Sequence, residues 1–262
     1  MSEEQNKTNP TSGTAPEAPF QGGPKPTLHP PKVHTMRMGH LPLTVLVTIA
    51  ISSLFALAFE LGSTPPITGI ALLALLILFA AITPRASDGP ATAGTRFTVA
   101  RVAMTCLLGG LAVVPAGSPP DPLLWSVALM GLAAAGLGAA DGWLAQITYS
   151  SSGFSEKLGT MAGALLVLAL SLLVWRLGLA GVWVVAAGAL GFAEAALLAG
   201  RHIPNRDVWR VGAELAVRVA LAAAIIPITP PIAVMALAVL ATAVAVGLMG
   251  HTLLYRRGEA SA

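Results

Sequence analysis

Long apolar runs, broken by proline, glycine and charged residues, follow one another from Leu41 to Gly250. The runs cover residues 41–60, 66–83, 97–115, 123–145, 157–176, 180–200, 209–227 and 231–250. A transmembrane helix needs about 20 predominantly apolar residues, and each run is close to that length. The pattern therefore predicts eight transmembrane helices. Residues 1–40 are different, because their seven prolines and few apolar residues are typical of a disordered tail.

The composition excludes a water-soluble protein. Hydrophobic residues make up 55% of the 262-residue chain and charged residues 10%, whereas soluble domains carry roughly 25% charged residues. The net charge of +3 does not indicate nucleic-acid binding, because the basic residues lie in short segments beside the apolar runs. The predicted partner is the lipid bilayer, with no nucleic acid.

The distribution of lysine and arginine predicts the orientation of the helices. With eight spans and a cytoplasmic N-terminus, eleven basic residues fall on the cytoplasmic side: Lys25, Lys32, Arg37, Arg85, Arg96, Lys157, Arg201, Arg206, Arg210, Arg256 and Arg257. The opposite side keeps only Arg176. Because basic residues favour cytoplasmic loops, we predict a multi-pass protein of the cell (inner) membrane with both termini in the cytoplasm.

Ionisable residues within the runs are candidates for function, since charge inside a bilayer is costly. Five of them fall in the cytoplasmic half of the predicted membrane: Arg101, Asp141, Glu194, Glu214 and Arg218. Their common depth predicts a polar cavity that opens to the cytoplasm. The alternative is that each charge only pairs with a neighbour, as Glu214 and Arg218 can do at a spacing of four residues.

The stretch GAADGWLAQITYSSSGFSEKLGTMAG, residues 138–163, carries the most informative motif. It resembles the CDP-alcohol phosphatidyltransferase family, whose motif is D-x2-D-G-x2-A-R-x8-G-x3-D-x3-D. Asp141, Gly142 and Ala145 match that motif, and Ser152 and Phe154 match the S-x-F before its glycine. Thr98 and Arg101, in TRFTVAR, resemble the family's first helix. The resemblance covers roughly residues 95–250.

The resemblance implies an all-α transmembrane bundle with a six-helix core at residues 95–251. The remaining parts are then a Pro-rich cytoplasmic tail at 1–40, a two-helix membrane extension at 41–94 and a cytoplasmic tail at 252–262. A homodimer, or a subunit of a larger membrane complex, is the implied assembly.

The departures from the motif bear on catalysis. In the family, four aspartates hold two divalent cations, and here those positions are Gly138, Asp141, Gly159 and Gly163. The motif arginine is Gln146. Hard cations need oxygen ligands, so Asp141 is the only metal ligand retained and is insufficient alone. Glu156 is an alternative ligand, although Lys157 beside it favours an interfacial pair.

Two functional hypotheses follow. In the first, the chain has lost transferase chemistry, needs no cofactor and is a structural or accessory subunit of a membrane complex. In the second, it moves a substituted phosphate from CDP-diacylglycerol or a similar CDP-alcohol to an alcohol acceptor in phospholipid synthesis. That reaction would use Mg²⁺ or Mn²⁺, with Asp141, Gly142, Ala145 and Arg101 at the substrate. A transporter is a third, weaker alternative, because no inverted repeat is apparent.

Two further expectations concern packing around the motif. Gly138 and Gly142, like Gly159 and Gly163, are spaced as in GxxxG pairs, which predicts direct packing of the two helices. Asp141 needs a nearby cation or a proton, and we expect a direct or water-mediated contact with Arg101.

Overall fold

Eight α-helices form the part of the chain that the structure describes. The structure is a computed structural model and describes residues 40–82, 93–113, 119–148, 153–198 and 208–260. The helices are α1 (His40–Ala58), α2 (Thr64–Ile82), α3 (Ala93–Val113), α4 (Asp121–Thr148), α5 (Gly153–Arg176), α6 (Val185–Leu198), α7 (Val208–Ala224) and α8 (Pro231–Ala260). No strand occurs among these residues, so the predicted all-α class is confirmed.

One helix corresponds to each predicted apolar run, and the two largest differences in the bounds are at the start of α6 and the end of α8. A 3-10 turn at Val182–Val184 precedes α6, which is therefore only 14 residues long instead of the predicted 180–200. Helix α8 continues ten residues beyond the predicted end at Gly250. Charge ends an apolar run without ending a helix, since helical hydrogen bonds do not require apolar side chains. Most of the predicted C-terminal tail is thus helical, and the predicted N-terminal tail before His40 lies outside the described residues.

Helix α5 is at the centre of the bundle. It packs against α2, α3, α4, α6 and α7. Its fully buried side chains Leu166, Leu170 and Val174 form the main apolar core with residues from α3 and α7, among them Leu107 and Leu221. The core extends along the half of α5 that follows the predicted motif, so the motif residues lie at one end of it.

Small residues let several helices approach closely. A Cβ atom on Gly110 of α3 would collide with the carbonyl oxygen of Pro65, at the start of α2. A Cβ on Gly188 of α6 would lie 2.5 Å from Cα of Leu168 in α5. In both places backbone contacts backbone, and an alanine side chain has no room.

Arg176 is the one basic residue that the predicted topology places opposite the cytoplasm, and it has a structural role there. At the end of α5, its Nη1 donates hydrogen bonds to the carbonyl oxygens of Ala112 (3.3 Å) and Val113 (3.4 Å). These carbonyls belong to the last turn of α3, where a helix has no partners of its own for them. Arg176 thus joins the ends of α3 and α5.

The outer surface of the bundle is apolar. Large hydrophobic side chains are more than half exposed on α1, α2, α4 and α8, including Leu46, Leu57, Ile67, Leu129, Ile232 and Leu254. Within the described ranges, three helical segments are long and apolar enough to cross a membrane: Asp121–Asp141, Leu158–Arg176 and Pro231–Leu254. These features are consistent with a protein located in a membrane, where lipid rather than water covers its surface.

Candidate functional site

Asp141 is held by a hydroxyl group from the neighbouring helix. It lies in the last third of α4, and Thr98 of α3 donates a hydrogen bond from Oγ1 to its Oδ2 at 2.7 Å. Thr98 is fully buried, while Asp141 keeps partial exposure. A hydrogen bond to an ionised acceptor is among the stronger ones in proteins, so Thr98 both orients this carboxylate and compensates its desolvation.

Arg101 lies one helical turn after Thr98 and is 5% exposed. Its guanidinium group passes over Gly138 of α4. A Cβ atom on Gly138 would lie 2.8 Å from Cζ, 2.9 Å from Nη1 and 3.0 Å from Nε of Arg101. Real Cβ atoms essentially never come within 3.0 Å of a heavy atom of this kind, so the guanidinium occupies space that any larger residue would need.

The two motif glycines of α5 border the same space. A Cβ on Gly163 would lie 2.5 Å from Nη2 of Arg101 and 2.6 Å from Nη2 of Arg218, on α7. A Cβ on Gly159 would lie 3.9 Å from both Nη1 of Arg101 and Oδ2 of Asp141. The two guanidinium groups therefore converge on Gly163. We call this arrangement, formed by Thr98, Arg101, Gly138, Asp141, Gly159, Gly163 and Arg218, the glycine cleft.

A second group of charges adjoins the glycine cleft through Arg218. Glu214 accepts a hydrogen bond from Nη2 of Arg218 at 3.0 Å and lies 3.6 Å from Nε of Arg210. Arg210 also pairs with Glu194 of α6, to which Thr252 of α8 donates a hydrogen bond at 2.9 Å. Glu194, Arg210, Glu214 and Thr252 form what we call the α7 cluster.

The charges of the two groups balance. Together they contain three guanidinium groups, from Arg101, Arg210 and Arg218, and three carboxylates, from Asp141, Glu194 and Glu214. Burying a charge is tolerated when an opposite charge and hydrogen bonds compensate it. Formally, the network of these residues is neutral without any bound ion.

The structure brings together all five ionisable residues that the sequence singled out within the apolar runs, and the ion pairs that involve them support the explanation that these charges pair with neighbours. The Glu214–Arg218 pair is present. Arg101 and Asp141 share the space above Gly159. Gly142 and Ala145 belong to α4, but their surroundings lie outside the described residues, as do those of Gln146, Glu156 and Lys157.

The prediction of direct helix packing at the GxxxG pairs is wrong for the three glycines that the structure describes there. The nearest atoms to a Cβ on Gly138 or Gly163 are arginine side-chain atoms, and the nearest described neighbours of a Cβ on Gly159 lie 3.9 Å away, on Arg101 and Asp141. Arginine side chains are long enough to enter a gap between helices, and here they fill the gap and keep the two backbones apart.

Sequence reasoning missed Arg210 and Thr252 as members of the site. The sequence assigns Arg210 to the cytoplasmic side at the start of the run 209–227, whereas the structure buries it, with 9% of the residue exposed. A signal was available, because Arg210, Glu214 and Arg218 are spaced by four residues and so share one face of a helix. Thr252 gave no such signal, since threonine is common in transmembrane helices.

The side chains that the structure describes in the glycine cleft are not a ligand set for a divalent cation. Among the described residues, no group of three or more histidine, cysteine, aspartate or glutamate side chains is placed to hold a metal ion. At Gly138 and Gly163, where the resemblance would place metal-binding carboxylates, the facing groups are guanidiniums. A metal ion beside Gly138 or Gly163 would meet positive charge within a few ångströms, with Asp141 as the one carboxylate of the cleft.

Comparison of the chain with protein-family models, with curated proteins and with solved structures finds no match in any of the three.

Proposed function

We propose that the chain is an eight-span membrane protein related to CDP-alcohol phosphatidyltransferases that has lost transferase chemistry and is a structural or accessory subunit of a membrane complex. The observation that carries the proposal is the position of Arg101 and Arg218, whose guanidinium groups take up the space beside Gly138 and Gly163. In this account, the arginines replace bound metal as the positive charge between the helices.

The proposed membrane topology is supported by the direction in which α7 faces. Its charged residues Arg210, Glu214 and Arg218 point into the bundle, with side chains 11%, 23% and 11% exposed. Val219 and Trp209, on other faces, are more exposed than any of them. A helix with its polar face inward and its apolar face outward is suited to a lipid surrounding and unsuited to water.

Tryptophans support the same topology. Trp125, Trp175 and Trp183 are exposed near the start of α4, the end of α5 and the start of α6. These three positions lie at the end of the bundle where Arg176 joins α3 and α5. Trp209 is exposed at the start of α7 and contacts His251 edge-on, with ring centroids 4.9 Å apart. Tryptophan is enriched at the two membrane interfaces, so we place these residues near the two lipid headgroup layers.

The orientation follows from the basic residues, and we place both termini in the cytoplasm. Cysteine substitutions near Ser63, Gly117 and Thr229 are expected to react with a membrane-impermeant reagent applied from outside. Substitutions near Arg96, Ser152 and Asn205 are expected to stay unlabelled. External labelling at Ser152 would contradict the eight-span topology and the cytoplasmic position of the glycine cleft.

The loss of transferase chemistry is tested by turnover. Purified protein in detergent is incubated with CDP-diacylglycerol, Mg²⁺ or Mn²⁺, and serine, glycerol phosphate or inositol as acceptor. We expect no metal-dependent release of CMP above the control without protein. The matched variant is Asp141→Asn, and CMP release that occurs in the wild type and disappears in this variant would contradict the proposal. Equal release in both proteins would come from another source and would agree with it.

A further inference from the structure

Helix α7 carries more positive charge than it can neutralise. Its ionisable residues are Arg210, Glu214 and Arg218, so one carboxylate faces two guanidinium groups. Glu214 is close to both arginines, at 3.6 Å and 3.0 Å. The helix as a unit nevertheless has a formal charge of +1, and it is not among the three segments that are long and apolar enough to cross a membrane.

Helix α6, which precedes α7 in the chain, carries the opposite charge. Glu194 is the only ionisable residue between Val185 and Leu198, giving α6 a formal charge of −1. The structure places this carboxylate against Arg210, the first arginine of α7. Thr252 donates a hydrogen bond to the same carboxylate oxygen, so Glu194 is compensated from two helices.

We infer that Glu194 is the counter-ion that allows α7 to enter the bilayer, so that α6 and α7 insert as one charge-balanced pair. The inference rests on the eight-span topology proposed above. A helix with a net charge is expensive to place in hydrocarbon, whereas a hairpin of two helices whose charges cancel avoids that cost. The two helices are consecutive in the chain, so Glu194 is synthesised shortly before the α7 arginines whose charge it compensates.

Insertion as a charge-balanced pair and an ordinary buried ion pair depend on different quantities. A buried pair depends on contact between two particular side chains, while co-insertion depends on the sum of charges over both helices. Arg218 separates the two cases, because it lies two helical turns from Arg210, the α7 residue that Glu194 contacts. Removing Arg218 together with Glu194 restores a total charge of zero without restoring the contact between Glu194 and Arg210.

The experiment uses the full-length chain in cells, with Cys106→Ala and a reporter cysteine at Ile228, which is 77% exposed after the end of α7. Labelling by an external membrane-impermeant maleimide reports that α7 has crossed the membrane. We expect Glu194→Gln to reduce labelling about tenfold or more, the scale implied by an uncompensated charge in a membrane helix. The double variant Glu194→Gln/Arg218→Gln is expected to recover most of the wild-type labelling.

Thr252→Val is the matched control, because it removes a hydrogen bond to Glu194 without changing any charge. It is expected to label like the wild type. The inference is overturned if Glu194→Gln labels normally, or if the double variant labels no better than Glu194→Gln. A wild-type chain that is unlabelled at Ile228 but labelled at Ser152 would overturn the proposed topology itself, and the inference with it.

Discussion

Glycine has two different roles in two regions of this protein. At Gly110 and Gly188 it lets one helix touch the backbone of another, at Pro65 and Leu168 respectively. At Gly138 and Gly163 the nearest atoms belong to arginine guanidinium groups. The first pair of glycines brings helices together, whereas the second pair leaves space between helices for charge. The presence of a glycine in the sequence therefore does not indicate which of the two roles it has.

The difference has an energetic consequence. A backbone neighbour cannot move without displacing its helix, while the end of an arginine side chain can rotate at some cost. Adding one methyl group should therefore be most destabilising where backbone faces the glycine. It should be less destabilising where guanidinium faces it, and nearly neutral where little lies within 4 Å.

The largest effect is expected at a backbone contact. Gly188→Ala places a Cβ 2.5 Å from Cα of Leu168 and 2.5 Å from Oγ of Ser171. We expect a loss of about 3 kcal/mol in the free energy of unfolding, at the upper end of typical overpacking costs. The measurement is thermal unfolding of the purified protein in detergent. Gly191→Ala is the control on the same helix, because no other described part of the protein lies within 4 Å of its Cβ position. Equal stability of the two variants would contradict the close α5–α6 contact.

Removal of the Thr98 hydroxyl, which donates a hydrogen bond to Asp141, is expected to have the next largest effect on stability. Thr98→Val removes the 2.7 Å hydrogen bond to the carboxylate and should destabilise the protein by about 2 kcal/mol. Thr105→Val, two turns further along α3, is the matched control. The Thr105 hydroxyl is also buried but has no hydrogen-bond partner in the described part of the chain. That substitution should leave the stability unchanged or raise it, and a loss equal to that of Thr98→Val would show that the hydrogen bond is unimportant.

A smaller effect is expected at Gly138, and it should depend on Arg101. The three nearest atoms to a Cβ at Gly138 all belong to that arginine. Gly138→Ala should cost about 1 kcal/mol in the wild type, because the guanidinium must shift. On an Arg101→Met background the cost should vanish, a coupling that a double-mutant cycle of unfolding free energies measures. An unchanged cost on that background would place some other group at Gly138.

The smallest effect, and one of opposite sign, is expected at Gly159. Its closest neighbours would be 3.9 Å from a Cβ, which is ordinary van der Waals contact. Alanine is a better helix former than glycine, so Gly159→Ala should stabilise the protein by about 0.5 kcal/mol. Gly212→Ala, in open surroundings on α7, should behave alike in the same unfolding assay. Strong destabilisation at Gly159 alone would mean that the glycine cleft is tighter there than at Gly138.

The positions of the helices were largely predictable from the sequence. Each apolar run overlaps one helix of the described part of the chain, because a segment that is apolar throughout must satisfy its backbone polar groups within itself. The errors are at the ends. Helix α8 continues through Arg256 and Arg257, where polarity changes but backbone hydrogen bonding does not. Helix α6 starts late, after the 3-10 turn at Val182–Val184.

The contents of the site were predictable only in part. Ionisable residues inside apolar runs are conspicuous, and five of them do meet in the structure. The role of the glycines was not predictable, since a glycine has no side chain to indicate its neighbour. The neighbours of Gly163 are set by the directions of the Arg101 and Arg218 side chains, which belong to two other helices. Only the packed fold determines those directions.

Manganese binding tests the central claim, that guanidinium groups rather than metal ions provide the positive charge of the glycine cleft. Purified wild-type protein and Asp141→Asn are titrated with Mn²⁺, and the free ion is followed by electron paramagnetic resonance. The account predicts the same free-ion signal in both proteins, because a single carboxylate facing two arginines does not hold a divalent cation. A bound fraction that is present in the wild type and absent from Asp141→Asn would contradict it.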